Sequence, residues 1–168
     1  MDKLKLSQFP SVAAGGTATL VTNELRGRSI YAIIFVLSGT TMTKALMERM
    51  QISIDGKDII NNITGAEIQD INDYDGLSND STMLAFYFGD PTARTIRGQR
   101  LGMLDLSVYD SDLEIQVDVG SGASAPALQC WAIVAPPKMA QGLNFDMAEA
   151  ATLRSLIRTQ VQFAGAVS

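Results

Sequence analysis

The chain has 168 residues, enough for one domain with its own core or for a domain with a tail. Its 13 basic and 18 acidic side chains give a formal net charge of −5, which argues against a general nucleic-acid binder because phosphates would be repelled. Histidine is absent and Cys130 is the single cysteine, which excludes Ser-His and Cys-His catalytic pairs, histidine-ligated metals and an intrachain disulfide.

Neither a secretory signal nor a membrane span is predicted. No continuous apolar stretch follows the lysines of Met1–Lys5. The longest apolar run, Ile30–Leu37, has eight residues, far fewer than the roughly 20 that cross a bilayer as a helix. We therefore expect a soluble chain without a transmembrane segment.

Turn signals at short intervals divide the first half of the chain into strand-sized pieces. Strands are predicted at Thr17–Val21 and Ile30–Leu37, the second of them central and buried on both faces. A hairpin is predicted where Met50–Ile54 and Asp58–Ile60 flank Asp55-Gly56, because these two turn residues supply the positive φ angles of a type I′ turn. We expect its register to be tightly fixed.

Three further strands are predicted in the second half. Thr82–Phe88 is one, and Leu113–Val119 alternates apolar and polar residues, as a strand with one wet face does. Ala127–Ala135 is an apolar strand closed by Pro136-Pro137. Seven or eight strands without alternating helices predict an all-β antiparallel sandwich, either immunoglobulin-like or a jelly roll. The long excursions between strands favour the jelly roll.

Two short helical insertions are predicted between strands. One covers Thr43–Met50 after a threonine-rich turn. The other covers Thr64–Tyr74, with Thr64 as its N-cap and Glu67 at the spacing of a capping box.

The character of the sequence changes after Pro137, so we divide the chain into a jelly-roll domain, 1–137, and a linker with a C-terminal helix, 138–168. Ala148–Gln162 contains strong helix formers, preceded by the possible N-caps Asn144 and Asp146. Its apolar side chains form one stripe, which we predict to be an interface. The stripe consists of Leu153, Leu156, Ile157 and Val161.

The best candidate for a metal site is an acidic turn containing Asp70, Asp73 and Asp75 before Gly76. With Gly76 at the sixth position of a calcium loop, the first and twelfth positions hold no acidic residue, so the register fails. We expect a solvated turn at a helix end and no cofactor, with a weak structural Ca²⁺ site as the alternative.

Five acidic residues in the second half of the chain suggest the paired carboxylates of a glycoside hydrolase. Strand alternation offers a simpler explanation, because it places Glu114 and Asp118 on a wet face and the others beside turns. We expect all five to lie at solvated edges, with no catalytic role. They are Asp105, Asp110, Asp112, Glu114 and Asp118.

Arg94, Arg97 and Arg100 form the one basic cluster in the sequence. We predict a subunit contact or a solvated loop there, in preference to a nucleic-acid site. Cys130, beside Trp131 in an apolar strand, is predicted to be a buried small hydrophobe. With charged residues at only 18% and no catalytic constellation, the chain is expected to bind or assemble rather than catalyse.

Several segments, in order, resemble the corticovirus-type major capsid proteins, the coat proteins of tailless icosahedral bacteriophages with an internal membrane. Each segment alone is mainly strand and turn chemistry, so the resemblance depends on their order and spacing from about residue 6 to 135. The segments are Phe9–Leu20, Ile30–Gly39, Ile52–Lys57, Phe86–Phe88, Gln99–Gly102, Leu113–Val119 and Pro126–Val134.

The resemblance implies a jelly roll standing upright on the virion, in trimers of pseudo-hexagonal outline to which each chain contributes two jelly rolls. It further implies association with other capsid and membrane-associated virion proteins, after synthesis in the bacterial host cytoplasm. The net charge of −5 leads us to expect no direct contact with nucleic acid. We expect 138–168 to lead into a second jelly roll that is absent from the sequence. The alternative is that the chain is a single-jelly-roll relative that uses its helix differently.

Two rival functions remain open. A carbohydrate- or receptor-binding jelly roll, such as a spike or minor capsid protein, would need aromatic residues exposed in loops, whereas Trp131, Phe86 and Phe88 are predicted within strands. A hydrolase would need Asp110, Asp112 and Glu114 to share a cleft. We regard the capsid hypothesis as the better supported of the three.

Overall fold

The computed structural model describes residues 1–77 and 80–135. It contains nine strands, two α-helices and two 3₁₀ turns, at Lys44–Leu46 and Leu106–Val108. The strands are β1 (Asp2–Lys5), β2 (Thr17–Thr22), β3 (Ser29–Ser38), β4 (Met47–Ile54), β5 (Lys57–Ile63), β6 (Met83–Tyr87), β7 (Leu104–Asp105), β8 (Leu113–Val119) and β9 (Ala127–Ala135). The helices are α1 (Gly65–Tyr74) and α2 (Ile96–Arg100).

The strands form two antiparallel sheets packed face to face. The first sheet has the order β1-β9-β3-β6, with the short β7 also paired to β3, and the second has the order β2-β8-β4-β5. Alternate side chains of both sheets point inward and form one core, because successive residues of a strand face opposite sides. Phe35 of β3 and Ile115 of β8 are fully buried within it.

The pairing shows that the sandwich is a jelly roll. The chain folds as one long antiparallel ribbon, with its tip at Asp55-Gly56. From the tip outward, the ribbon consists of the pairs β4·β5, β3·β6, β2·β8 and β1·β9. Two further pairings, β9 with β3 and β8 with β4, wind this ribbon around itself. This winding closes two Greek keys, so the predicted jelly-roll fold is confirmed.

Most predicted strands are confirmed, two of them to the residue. β8 and β9 have the predicted bounds, and in β8 the four apolar residues are buried while the three polar ones are half-buried. β3 lies between β9 and β6 and is buried on both faces over most of its length. Phe88 directly follows β6 rather than lying within it.

The Asp55-Gly56 hairpin is confirmed, and its register is defined but contains two shifts. Asp55 and Gly56 have φ angles of 54° and 68°, as a type I′ turn requires. The register between β4 and β5 shifts at two places, between Met50 and Ile52 and between Ile52 and Ser53. Bulges on this edge strand therefore interrupt the ladder that the turn begins.

The predicted helix over Thr43–Met50 is wrong. Only Lys44–Leu46 is helical, as a single 3₁₀ turn, and β4 begins at Met47. The register between β4 and β8 shifts between Met47 and Arg49, so β4 holds one extra residue there. The bulge places the buried Met47 and Met50 three residues apart, a spacing that imitates the period of a helix.

The α1 capping box is confirmed in both directions. The Glu67 amide donates to Thr64 Oγ1 over 3.1 Å, and the Thr64 amide donates to Glu67 Oε2 over 2.8 Å. The predicted C-terminal helix lies outside the described residues. Within the described ranges, no helix has the length and apolar character needed to cross a membrane.

Candidate assembly surfaces

The outer face of the second sheet is polar and cross-linked by side chains. Asp118 of β8 accepts a hydrogen bond from Thr17 Oγ1 over 2.6 Å and forms an ion pair with Arg49 Nε over 2.8 Å. Beside it, Gln116 Nε2 donates to Glu114 over 2.6 Å. These contacts satisfy polar groups within the sheet surface, so this face is suited to solvent.

The outer face of the first sheet is mainly apolar over β3, β6 and the end of β9, with Gln129 opposite Val36 and with Lys3 and Lys5 on β1. Ile34 of β3 lies opposite Trp131 of β9 on one side and Ala85 of β6 on the other. The same side of the sheet carries half-buried or exposed apolar residues along all three strands. We call this surface the apolar face; it consists of Ile34, Val36, Met83, Ala85, Trp131 and Ile133.

One end of the apolar face is covered by the chain itself. Met103 packs on Tyr31, Ala32 and Ala135 in a second, smaller cluster that also contacts Tyr87. The two tyrosine rings meet edge to face at 5.8 Å between centroids. Burial raises the pKa of both Tyr31 and Tyr87 above the ordinary value of 10.0. Both phenols are therefore neutral at physiological pH.

The arginine cluster forms a short helix rather than the predicted loop. Thr95 caps α2 by accepting from the Gly98 amide over 3.0 Å, so Arg94 precedes the helix and Arg100 ends it. Arg94 and Arg97 are exposed, whereas Arg100 is half-buried. Ile96, between the two exposed arginines, is 69% exposed. Their role as a subunit contact stays a prediction.

The acidic turn lies at the end of α1, as predicted. Asp70 and Asp73 are exposed on the helix, and Asp73 accepts from Gln69 Nε2 over 2.7 Å. Asp75 is the C-cap residue. Among residues 1–77 and 80–135, no three aspartate, glutamate or cysteine side chains are grouped so that they could hold a metal ion.

One of the five acidic residues predicted at solvated edges is buried, so that prediction is wrong for Asp105. Its carboxylate caps the second 3₁₀ turn by accepting from the Ser107 amide over 3.0 Å and from the Ser107 hydroxyl over 2.7 Å. Only 7% of Asp105 is exposed. A carboxylate that satisfies a turn's orphan donors can be buried, and the sequence could have revealed this through the Asp-x-Ser spacing.

Three of the other four acids have structural partners, and Asp110 is exposed. Asp112 forms an ion pair with Arg26 over 2.8 Å, and Glu114 and Asp118 lie on the wet face of β8 as predicted. Cys130 is buried against the core, and burial raises the pKa of its thiol far above the ordinary value. That environment makes the thiol inert, as predicted.

Comparison with known proteins identifies the family. The viral coat protein P2 N-terminal domain matches the chain over residues 3–135. The chain belongs to this family of viral coat proteins. The P2 N-terminal match begins at the second residue of β1 and ends at the last residue of β9, so it covers the wound ribbon except for Asp2. The resemblance to corticovirus-type coat proteins is therefore confirmed.

Solved structures show the same fold in P2-type and related capsid proteins. The major capsid protein P2 from bacteriophage PM2 matches with a TM-score of 0.70 at 20% identity, covering 81% of this chain and 51% of that one. PBCV-1 VP54, fitted into a reconstruction of the virophage Sputnik, matches with a TM-score of 0.52 at 12% identity, covering 88% and 44%. This P2-family chain thus spans about half the length of both. A search of curated proteins found no match.

Proposed function

We propose that this chain forms the N-terminal jelly roll of a major capsid subunit in a double jelly-roll bacteriophage, and that the subunits assemble as trimeric capsomers. The observation that carries the proposal is the match of the coat-protein family to the ribbon from β1 through β9, all but Asp2. The bacteriophage PM2 protein that shares this fold is itself a major capsid protein. The site of action would be the virion shell.

The proposed subunit has two parts, a jelly-roll domain, 1–137, and a linker with a helix, 138–168, that leads into a second jelly roll. The family match ends at residue 135, close to the proposed boundary. The alignment covers only 51% of the PM2 protein, which leaves room in such a subunit for a second domain of similar size.

The proposed role is geometric rather than catalytic. Of the five acidic residues that suggest a hydrolase pair, Asp105 caps a turn, Asp112 and Asp118 form ion pairs, and Glu114 accepts a hydrogen bond on the sheet surface. An apolar face on one sheet and exposed arginines beside Ile96 offer surfaces for contact with other subunits and with membrane-associated virion proteins. Symmetry then repeats these modest contacts between subunits, and together they hold the shell. Direct contact with nucleic acid is not part of the proposal.

A receptor- or carbohydrate-binding module is the second candidate, and one observation favours it. Tyr74, at the C-terminal end of α1, is 92% exposed, as an aromatic residue in a sugar- or receptor-binding site often is. Against it, Phe86 and Phe88 pack against the core. Binding of the purified chain to a glycan array, abolished by Tyr74→Ala, would establish this function instead.

The mass of the species in solution tests the capsid proposal. We would measure it by chromatography with light scattering over a range of protein concentrations, with and without calcium. A trimer or a larger shell-like particle is the expected result. A strict monomer under every condition, including after mixing with a separately supplied second jelly roll, contradicts self-assembly.

A further inference from the structure

Three polar side chains lie in a row where the first 3₁₀ turn meets α1. Lys44 Nζ donates to Gln69 Oε1, and Gln69 Nε2 in turn donates to Asp73 Oδ1 over 2.7 Å. Lys44 and Gln69 are both half-buried. The helix comes this close to the turn because its first residue, Gly65, has no side chain; a Cβ there would lie 2.2 Å from the Lys44 carbonyl oxygen. The fold therefore holds an amine, a carboxamide and a carboxylate together.

The arrangement brings a nucleophile to a carbonyl group. The carbonyl carbon Cδ of Gln69 is one covalent bond from the oxygen that Lys44 Nζ contacts. Burial lowers the pKa of the Lys44 ammonium below its ordinary value of 10.5, and the negative charges of Asp73 and Asp80 only partly oppose this shift. More of the amine is therefore neutral, and the neutral amine is the form that attacks carbonyl groups. Because the fold already holds the two groups in contact, their reaction avoids the entropy cost of bringing them together.

We propose that Lys44 and Gln69 join in an isopeptide bond, with Asp73 as the proton carrier. Lys44 Nζ attacks Gln69 Cδ, so that the Nζ–Cδ bond forms and the Cδ–Nε2 bond breaks. Two of the three protons of the Lys44 ammonium pass in turn to Nε2 through the Asp73 carboxylate. The carboxamide nitrogen leaves as ammonium, the carboxylate is regenerated, and no oxidant or other co-reactant is consumed.

The contacts of the two nearby aspartates decide which one carries the proton. The Asp73 carboxylate already accepts a hydrogen bond from the nitrogen that leaves, which is the reach that a general acid–base group needs. Asp80 accepts instead from the hydroxyl and the amide of Thr82, each over 2.7 Å, and these hydrogen bonds lower the pKa of Asp80. Asp80 therefore stays ionised and acts as a fixed negative charge near Lys44.

The bond would act as a covalent brace. It closes a loop from residue 44 to residue 69 that contains the whole β4–β5 hairpin, and it fixes α1, which contacts the edge strand β6. Cross-links that close a loop stabilise a fold by restricting the unfolded chain. With its single cysteine, the chain forms no intrachain disulfide that could serve this purpose. The brace lies within one chain, so it does not depend on the proposed function.

The intact mass of the denatured chain tests the bond, because bond formation releases one ammonia. We would keep the purified, folded protein at pH 7 and at pH 9 and follow its mass over time by mass spectrometry. The wild type is expected to weigh one ammonia less than its sequence requires. Lys44→Arg and Gln69→Ala should each keep the full mass of their sequence. Circular dichroism verifies that each variant is folded.

Gln51→Ala is the matched control. Gln51 Nε2 likewise donates to a carboxylate, that of Asp58, over 2.7 Å. Its replacement removes a second glutamine–aspartate pair of the same kind and leaves Lys44 and Gln69 in place. The mass of this variant should therefore fall by one ammonia, as in the wild type.

Tryptic mapping locates the bond. Trypsin does not cleave after an acylated lysine, so the linked product joins residues 29–49 to residues 58–94. A wild-type chain that keeps its full mass in the folded state overturns the proposal. So does loss of ammonia without the linked product, because a succinimide formed from an asparagine releases ammonia as well.

Asp73→Asn tests the proton carrier separately. The variant keeps Lys44 and Gln69, and shortly after synthesis its linked fraction should be about tenfold lower than that of the wild type, because positioned acid–base groups contribute at least that much to a rate. Equal linked fractions in the two proteins contradict the role of Asp73.

Discussion

Asn72 of α1 donates from its side-chain amide to the carbonyl oxygen of Ala85 in β6, over 2.9 Å. Asn72 is only 8% exposed, and β6 is the edge strand of the first sheet. The helix thereby satisfies a backbone acceptor of β6 that no neighbouring strand pairs with, and it covers the edge of the sheet at that point. Edges covered in this way cannot pair with another chain.

The first prediction concerns this contact. Asn72→Ala should lower the free energy of unfolding by about 1–2 kcal/mol, because it removes a buried hydrogen bond and leaves the Ala85 carbonyl without that donor. Denaturant unfolding of the variant and of Asn61→Ala, an exposed asparagine on β5, measures the difference. Equal stability of the two variants would show that the contact contributes nothing.

Gly65, the first residue of α1, should not tolerate a side chain. A Cβ there would lie 2.2 Å from the Lys44 carbonyl oxygen and 2.9 Å from Met47 Cβ. We expect Gly65→Ala to destabilise the protein by about 3 kcal/mol or more, because the helix must move off β4. Gly76→Ala is the comparison, with φ of +69° but no heavy atom within 4 Å, and should cost only about 1–2 kcal/mol. Thermal unfolding distinguishes them.

Stability should fall in alkaline solution through Tyr31 and Tyr87. Burial raises the pKa of both phenols in the folded state, so the unfolded chain loses these protons at a lower pH than the folded protein does. The free energy of unfolding should thus be insensitive to these groups below pH 10 and decrease as pH rises above it. Urea titrations from pH 8 to 11 measure the slope, which should be shallower in Tyr87→Phe.

Cys130 should react with thiol reagents only when the protein unfolds. The side chain is fully buried and burial raises the pKa of the thiol, so the native state presents no thiolate. Mass spectrometry of the alkylated chain should show no label in native buffer and complete labelling in denaturant. A Ser38→Cys variant, with a cysteine at an exposed position, supplies the positive control. Rapid native labelling of Cys130 would show that β9 opens.

Charge reversal at α2 tests its role in subunit contact. Under the proposed function, Arg94→Glu/Arg97→Glu should reduce the assembled fraction about tenfold or more, because two favourable charge contacts per interface become repulsive. Light scattering measures assembly, with Arg28→Glu, another exposed arginine, as the control. Unchanged assembly in both variants would assign α2 to a solvated surface.

Local patterns predict the strands whose environment is simple. β8 alternates without interruption and has one buried face, so its bounds and its buried residues follow from the sequence alone. The start of β4 does not follow from the sequence alone. The bulge after Met47 depends on pairing with β8, which lies more than sixty residues away in the chain. β1 escapes prediction, since four residues with three charges have no strand signal without β9 beside them.

The candidate surfaces are less predictable than the strands. The double burial of β3 follows from its apolar run, but an apolar run does not reveal which face meets the core and which meets something else. Only the registers with β6 and β9 place Ile34 beside Trp131 and so define the apolar face. The burial of Asp105 likewise depends on the turn that its carboxylate caps.

The outermost pair of the wound ribbon joins Asp2 to Val134. The two points at which the chain crosses the border of the jelly roll are therefore next to each other, although more than 130 residues separate them. Any domain attached after Ala135 begins beside strand β1, so its attachment does not require the loops at the far end of the sandwich to move. The jelly roll can therefore be one domain of a longer chain without any change in its core.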